Sequence, residues 1–194
     1  MFRRGGLAWG TVLATNKGIT SLDLQKNGIG DNACSHIIAA LKTNPFLRTL
    51  NLADNRLGIK SSVQLREVFD ENVTLTNLDI SWNHIRPQDL CVLSQTLTTN
   101  KVLKTLSIAW NGIGDKITEQ SAHADSMESL AQTQKTATSK ASSPRRPVTG
   151  PDAGDSLVNV IQNNEGITEL DISSCRLGSH LCKDLARALA SNRR

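Results

Sequence analysis

An internal period of 28 residues constrains this chain more than any other feature. Leu22, Leu50, Leu78 and Leu106 fall at that interval, and so do Asn27, Asn55, Asn83 and Asn111. A second asparagine keeps the same spacing at Asn16, Asn44, Asn72 and Asn100; the step then widens to 64 at Asn164 and returns to 28 at Asn192. A step of 64 is one period with 36 residues inserted, which alignment of the units places at 117–152. A chain with such a period is a stack of like units, because each unit buries its apolar face only against its neighbours.

Each unit opens with alternation, as in Leu22 with Leu24 or Leu78 with Ile80, the pattern of a strand with one buried face. Each closes with helical spacing: Ile37 with Leu41, Leu65 with Phe69, Leu93 with Leu97, Leu157 with Ile161, Leu185 with Leu189. The reading is one domain over 1–194, with full repeats 19–46, 47–74, 75–102, 103–166 and 167–194. Before them stands a half repeat, 5–16: Asn16 aligns with Asn44, Leu13 with Leu41 and Trp9 with Ile37. That phase identifies "GGLAWGTVLATN" as the helical half of a unit rather than a secretion signal.

Five short parallel strands joined by helices make an α/β solenoid, a horseshoe arc with the sheet on its concave side. The units, such as "LRTLNLADNRL", resemble the ribonuclease-inhibitor-like leucine-rich repeats, whose pattern is L-x-x-L-x-L-x-x-N-x-L followed by a helix. Within that class, "SWNHI" and "WNGIG" are most similar to the leucine-rich-repeat-containing protein 74 group.

Asn27, Asn55, Asn83 and Asn111 stand where strand turns toward helix, and an amide both donates and accepts, so stacked turns form an asparagine ladder. Cys175 takes that place in the last unit, a substitution the resemblance allows. Residues between the buried leucines face the concavity: Ser21, Asp23, Gln25; Thr49, Asn51, Ala53; Asn77, Asp79, Ser81; Thr105, Ser107, Ala109; Glu169, Asp171, Ser173. Asp23, Asp79, Glu169 and Asp171 are carboxylates, and no base accompanies them, although the chain as a whole carries +4. Such a face favours a partner protein with a basic or polar surface and repels nucleic-acid phosphates; short polar residues equally suit a solvated strand face. With Asn51 and Ser107 these residues are the candidate contacts, joined on the rim by Trp82 and Trp110, equivalent positions about 4.7 to 4.9 Å apart if the strands pair. The two rings either shield the asparagine turns or anchor a partner.

No phosphate loop, nucleophile elbow or zinc helix appears, and His36, His84, His123 and His180 are scattered, so the expectation is a non-enzyme with no cofactor and no metal. Cys34, Cys91, Cys175 and Cys182 show no C-x-x-C pairing, which reads as reduced thiols in the cytoplasm. No run reaches the roughly 18 apolar residues of a membrane span. The insertion holds six Ser, five Thr and five Ala, an acidic part followed by a basic one, and "SSPRRP", read as a solvated spacer or a docking segment with Ser143 as a phosphate acceptor. Neither end shows a polar cap, which suggests a longer array or ends covered by a partner. The functional expectation is a protein-interaction scaffold, by resemblance a component of a cytoskeletal or ciliary assembly. The alternative is an enzyme regulator, a ribonuclease-inhibitor-like inhibitor or a small-GTPase activator acting through Arg56 or Arg86.

Overall fold

The computed structural model describes residues 3–114 and 153–192. The elements run in strict alternation: α1 (Arg3–Thr15), β1 (Ser21–Asp23), α2 (Asp31–Ala40), β2 (Thr49–Asn51), α3 (Ile59–Glu71), β3 (Asn77–Asp79), α4 (Pro87–Leu97), β4 (Thr105–Ser107), α5 (Ala153–Asn163), β5 (Glu169–Asp171) and α6 (Ser179–Ser191). The strands form one parallel sheet in chain order. Its register follows the period, with Leu22 opposite Leu50, Leu50 opposite Leu78, Leu78 opposite Leu106 and Leu106 opposite Leu170. Each helix packs on the next, α1 on α2 through to α5 on α6, so contacts join neighbouring units, as a solenoid requires.

The core lies between the sheet and the helices. Leu50, Leu52, Leu78, Ile80, Leu106 and Ile108 point inward from the strands and meet Ile37, Leu41, Leu65, Leu93 and Leu157 from the helical halves. Leu13 of α1 is fully buried and Trp9 packs beside this core. Leu189 departs from the helical spacing: it is 62% exposed, because among the described residues no further unit lies beyond α6. Leu22 and Leu170, on the outer strands, are half-buried for the same reason, whereas their interior counterparts are buried.

Gly114 closes the turn of the fourth unit onto the fifth. A Cβ there would lie 2.3 Å from the Arg176 carbonyl oxygen, and the Gly114 N–H donates to the Cys175 carbonyl at 2.9 Å. Glycine is the residue that permits this approach. The acidic and basic parts of 117–152, "PRRP" and Ser143 lie outside the described residues, as does His123.

Candidate binding surface

Two asparagine ladders position the surface. At the strand-to-helix turn, Asn83 Nδ2 donates to the carbonyls of Leu52, Ile80 and Ser81 at 2.9–3.0 Å, while its Oδ1 accepts the N–H groups of Asn55 and Leu57 at 3.0 and 2.8 Å. Asn55 repeats this with Leu24 and with the N–H groups of Asn27 and Ile29, and Asn111 with Ile80 and the N–H of Ile85. Cys175 closes the series by donating from Sγ to the Ile108 carbonyl at 3.2 Å, and burial raises its thiol pKa. Asn27 differs from the interior rungs. It is exposed, and its side chain donates within its own unit, to Leu24 and Gln25, since among the described residues no strand precedes β1. The second ladder, Asn44, Asn72, Asn100, Asn164 and Asn192, ties each helix end to the carbonyls of Leu13, Leu41, Phe69, Leu97 and Ile161 in the unit before. The sequence shows its period but not this role.

One residue before the first ladder the chain turns left-handed. Lys26, Asp54, Trp82, Trp110 and Ser174 have φ between 53 and 56°, although none is glycine or asparagine. The turn is held by the backbone: Lys26, Asp54, Trp82 and Trp110 N–H donate to Ala53, Ser81, Ala109 and Ser173 carbonyls at 2.9–3.0 Å. A bulky residue in this region is uncommon and costs roughly 1–2 kcal/mol. Five equivalent side chains therefore stand in a row along the rim, and two of them are tryptophan.

Trp82 and Trp110 stack face to face, with ring centroids 4.1 Å apart and planes within 12°. This is closer than the strand spacing, because the rings lean together until their faces touch. They remain 53% and 49% exposed. Beside Trp110 a notch of about 500 Å³ is lined by Trp82, Trp110, Asn111, Gly112, Ser174 and Arg176.

On the open face of the sheet the acidic residues prove to have backbone duties. Oδ1 of Asp23, Asp79 and Asp171 accepts the N–H two residues on, at Gln25, Ser81 and Ser173, at 2.8–3.0 Å, and Asn51 does the same for Ala53. Asp171 also accepts the hydroxyls of Ser173 and Ser107, at 2.7 and 3.2 Å, and Glu169 that of Thr105 at 3.1 Å. The Ser173 hydroxyl, then its N–H, hold the Asp171 carboxyl below its ordinary pKa, with a smaller contribution from Ser107. Ala53, Ser81 and Ala109, read as facing the concavity, are buried, whereas Gln25 and Ser173 in the outer units are exposed. The interior three have a unit on either side, and such short side chains do not rise clear of it. The open face thus offers Asp23, Asn51, Asp79, Ser107, Glu169 and Asp171, and the rim offers the tryptophan pair.

The chain matches the family described as Leucine Rich repeat over residues 15–37, 43–58, 71–90 and 99–117. The matched segments fall on the strand-and-turn motifs whose parallel register is described above. The fold is that of a leucine-rich-repeat solenoid. Among solved structures this solenoid is similar to the leiomodin-1 actin-binding site 2, at TM-score 0.66 and 13% identity over 95% of this chain and 87% of that one. It is also similar to the tropomodulin C-terminal domain of Caenorhabditis elegans, at TM-score 0.65 and 12% identity over 96% and 92%. At such identities the likeness is one of fold. No curated protein matches the chain by sequence.

Elsewhere on the leucine-rich-repeat frame, the thiols stand in separate surroundings. Cys34 is enclosed and burial pushes its pKa up to about 12, Cys91 is half-buried beside Ser156, and Cys182 is exposed. Arg56 is exposed on its turn with φ 60°, and the Arg86 N–H starts α4 by donating to Asp89 Oδ2 at 2.9 Å. No group of three or more His, Cys, Asp or Glu is arranged to hold a metal ion among the described residues, and no described helix is long and apolar enough to cross a membrane.

Proposed function

We propose that this solenoid is a non-enzymatic protein-interaction scaffold that grips a partner with the rim and the open face of its sheet, Trp82 and Trp110 forming the anchor. One observation carries the reading: two stacked, half-exposed tryptophans occupy left-handed positions where the same frame accepts Lys26, Asp54 and Ser174 at the same φ. The turn does not need the rings. Stacking is worth roughly 0.5–1.5 kcal/mol, and the left-handed strain is the same for any side chain at these positions, so the pair adds little to folding. Exposed aromatic pairs on a rigid support are the usual anchors of protein interfaces. Asp79, Glu169 and Asp171 beside them favour a basic or polar partner over nucleic acid.

A cytoskeletal partner is the specific form of the proposal, supported by the fold shared with an actin-binding site of leiomodin-1. Its ciliary variant, and membership of the leucine-rich-repeat-containing protein 74 group, rest on "SWNHI" and "WNGIG" alone. The test is proximity labelling in the native cell, with actin-filament co-sedimentation alongside, each run with the natural chain and with a Trp82→Ser, Trp110→Ser double variant. A partner retained by the natural chain and lost by the variant is the expected result. Equal recovery of every partner by both would remove the anchor, and failure to pellet with filaments would remove actin.

A further inference from the structure

The row of left-handed residues on the rim is a row of equivalent sites, and its aromatic part stops one unit short. Trp110 follows Trp82, but the next position is Ser174, whose φ of 54° matches the 53° and 55° of the two tryptophans. The junction is built alike on both sides: Trp82 N–H donates to the Ala109 carbonyl and Trp110 N–H to the Ser173 carbonyl, both at 2.9 Å. The backbone at Ser174 is therefore placed to carry a third ring, and the sequence puts a hydroxymethyl group there instead. The outer part of the row is left as the notch bounded by Trp110, Ser174, Gly112 and Arg176.

We infer that this notch receives an aromatic side chain from the partner polypeptide, which completes a three-ring stack on Trp110. The inference rests on the scaffold reading above and names the chemistry of its anchor. A ring standing over Ser174 lies about one strand spacing, 4.7–4.9 Å, from Trp110, within the range of stacked aromatics. Arg176 also lines the notch. Nucleobases also stack on tryptophan, but the phosphates they carry meet Glu169 and Asp171 on the adjoining face. Those carboxylates select a basic residue next to the aromatic one. Asp171 precedes Ser174 by three residues, and because the chain turns between them the two lie no more than about 10 Å apart. The recognised segment is accordingly a peptide with Lys or Arg within about three residues of Phe, Tyr or Trp.

The experiment follows the indole N–H resonances of the whole chain by NMR, with Trp9 as internal reference. The probe is a capped tetrapeptide with lysine first and phenylalanine fourth. Matched peptides carry leucine or arginine at the fourth position or glutamate at the first, and oligothymidylate is the nucleic-acid arm. The phenylalanine probe is expected to move the Trp110 resonance and to bind roughly two- to tenfold tighter than the leucine peptide. Ser174→Trp should fill the notch and abolish that preference, while Ser174→Ala should leave it unchanged. A far-ultraviolet circular dichroism exciton signal stronger than that of the natural chain shows that the ring introduced at 174 is stacked. The inference is overturned by equal affinity for the phenylalanine and leucine peptides, by tighter binding of the arginine peptide or of oligothymidylate, by indifference to the glutamate exchange, or by undiminished probe binding to a stacked Ser174→Trp chain. A cellular partner that is lost with Trp82→Ser, Trp110→Ser but unaffected by Ser174→Trp overturns the third ring and leaves the scaffold reading standing. A partner indifferent to both removes the scaffold anchor itself.

Discussion

At the scale of single residues, the amides carry the frame. Asn83 makes five hydrogen bonds in a buried turn, so Asn83→Ala leaves several backbone groups unpaired. The expected loss is about 1–3 kcal/mol, read from chemical denaturation; a curve that overlays the parent's would contradict it. Asp171 invites a different substitution. Asn51 shows that an amide caps this position as well as a carboxylate, so Asp171→Asn removes the charge and keeps the cap. Because the folded-state pKa of Asp171 is depressed, its contribution is present above the ordinary carboxylate range and fades as pH falls through the lowered value. Asp171→Asn should therefore leave neutral-pH stability nearly unchanged and flatten the acid limb of the stability profile; an unaltered acid limb would contradict this assignment. The interval of 28 reveals the asparagine position and its need for partners. It does not reveal that Asp23, Asp79 and Asp171 turn one oxygen back onto their own chain, because a capping Asp and a binding Asp look alike in sequence.

At the scale of elements, one helix depends on its neighbour for its beginning. α3 is preceded by Gly58, which has no side chain to cap it, and Asp31 of the preceding unit supplies the acceptor: Oδ1 takes the N–H groups of Gly58 and Ser61 at 2.9 Å, and Oδ2 that of Lys60 at 3.0 Å. Asp31→Ala should cost about 0.5–2 kcal/mol and speed amide exchange in the first turn of α3 rather than of α2. Protection lost first from α2 would show that the cap acts locally. Periodicity makes strands and helices legible, since Leu50 with Leu52 and Leu65 with Phe69 read as faces. Borrowed caps escape it, because Asp31 aligns with Ile59 and Pro87 in the next two units and so follows no period. The same limit hid the exposure of Leu189: its spacing is that of a core residue, but spacing does not say whether another unit lies beyond.

At the scale of the whole molecule, the proposal places stability and recognition in different layers. The two ladders, the buried leucines and the close approach at Gly114 hold unit to unit, and these are the features that a repeating sequence displays most openly. The proposed binding layer is the part that breaks the repeat, where Lys26, Asp54, Trp82, Trp110 and Ser174 share one backbone conformation with four different kinds of side chain. That heterogeneity shows that the turn does not dictate its side chain. The sequence places the tryptophans at equivalent positions; their contact, their left-handed backbone and the notch beside Ser174 emerge only from the stacked units. The central claim, that the pair serves binding rather than folding, is tested by measuring thermal stability and partner affinity together on the Trp82→Ser, Trp110→Ser chain. Stability within about 1 kcal/mol of the parent with partner binding lost is the outcome the account predicts. A chain that is strongly destabilised yet binds its partner as tightly as before, once folded, would contradict it.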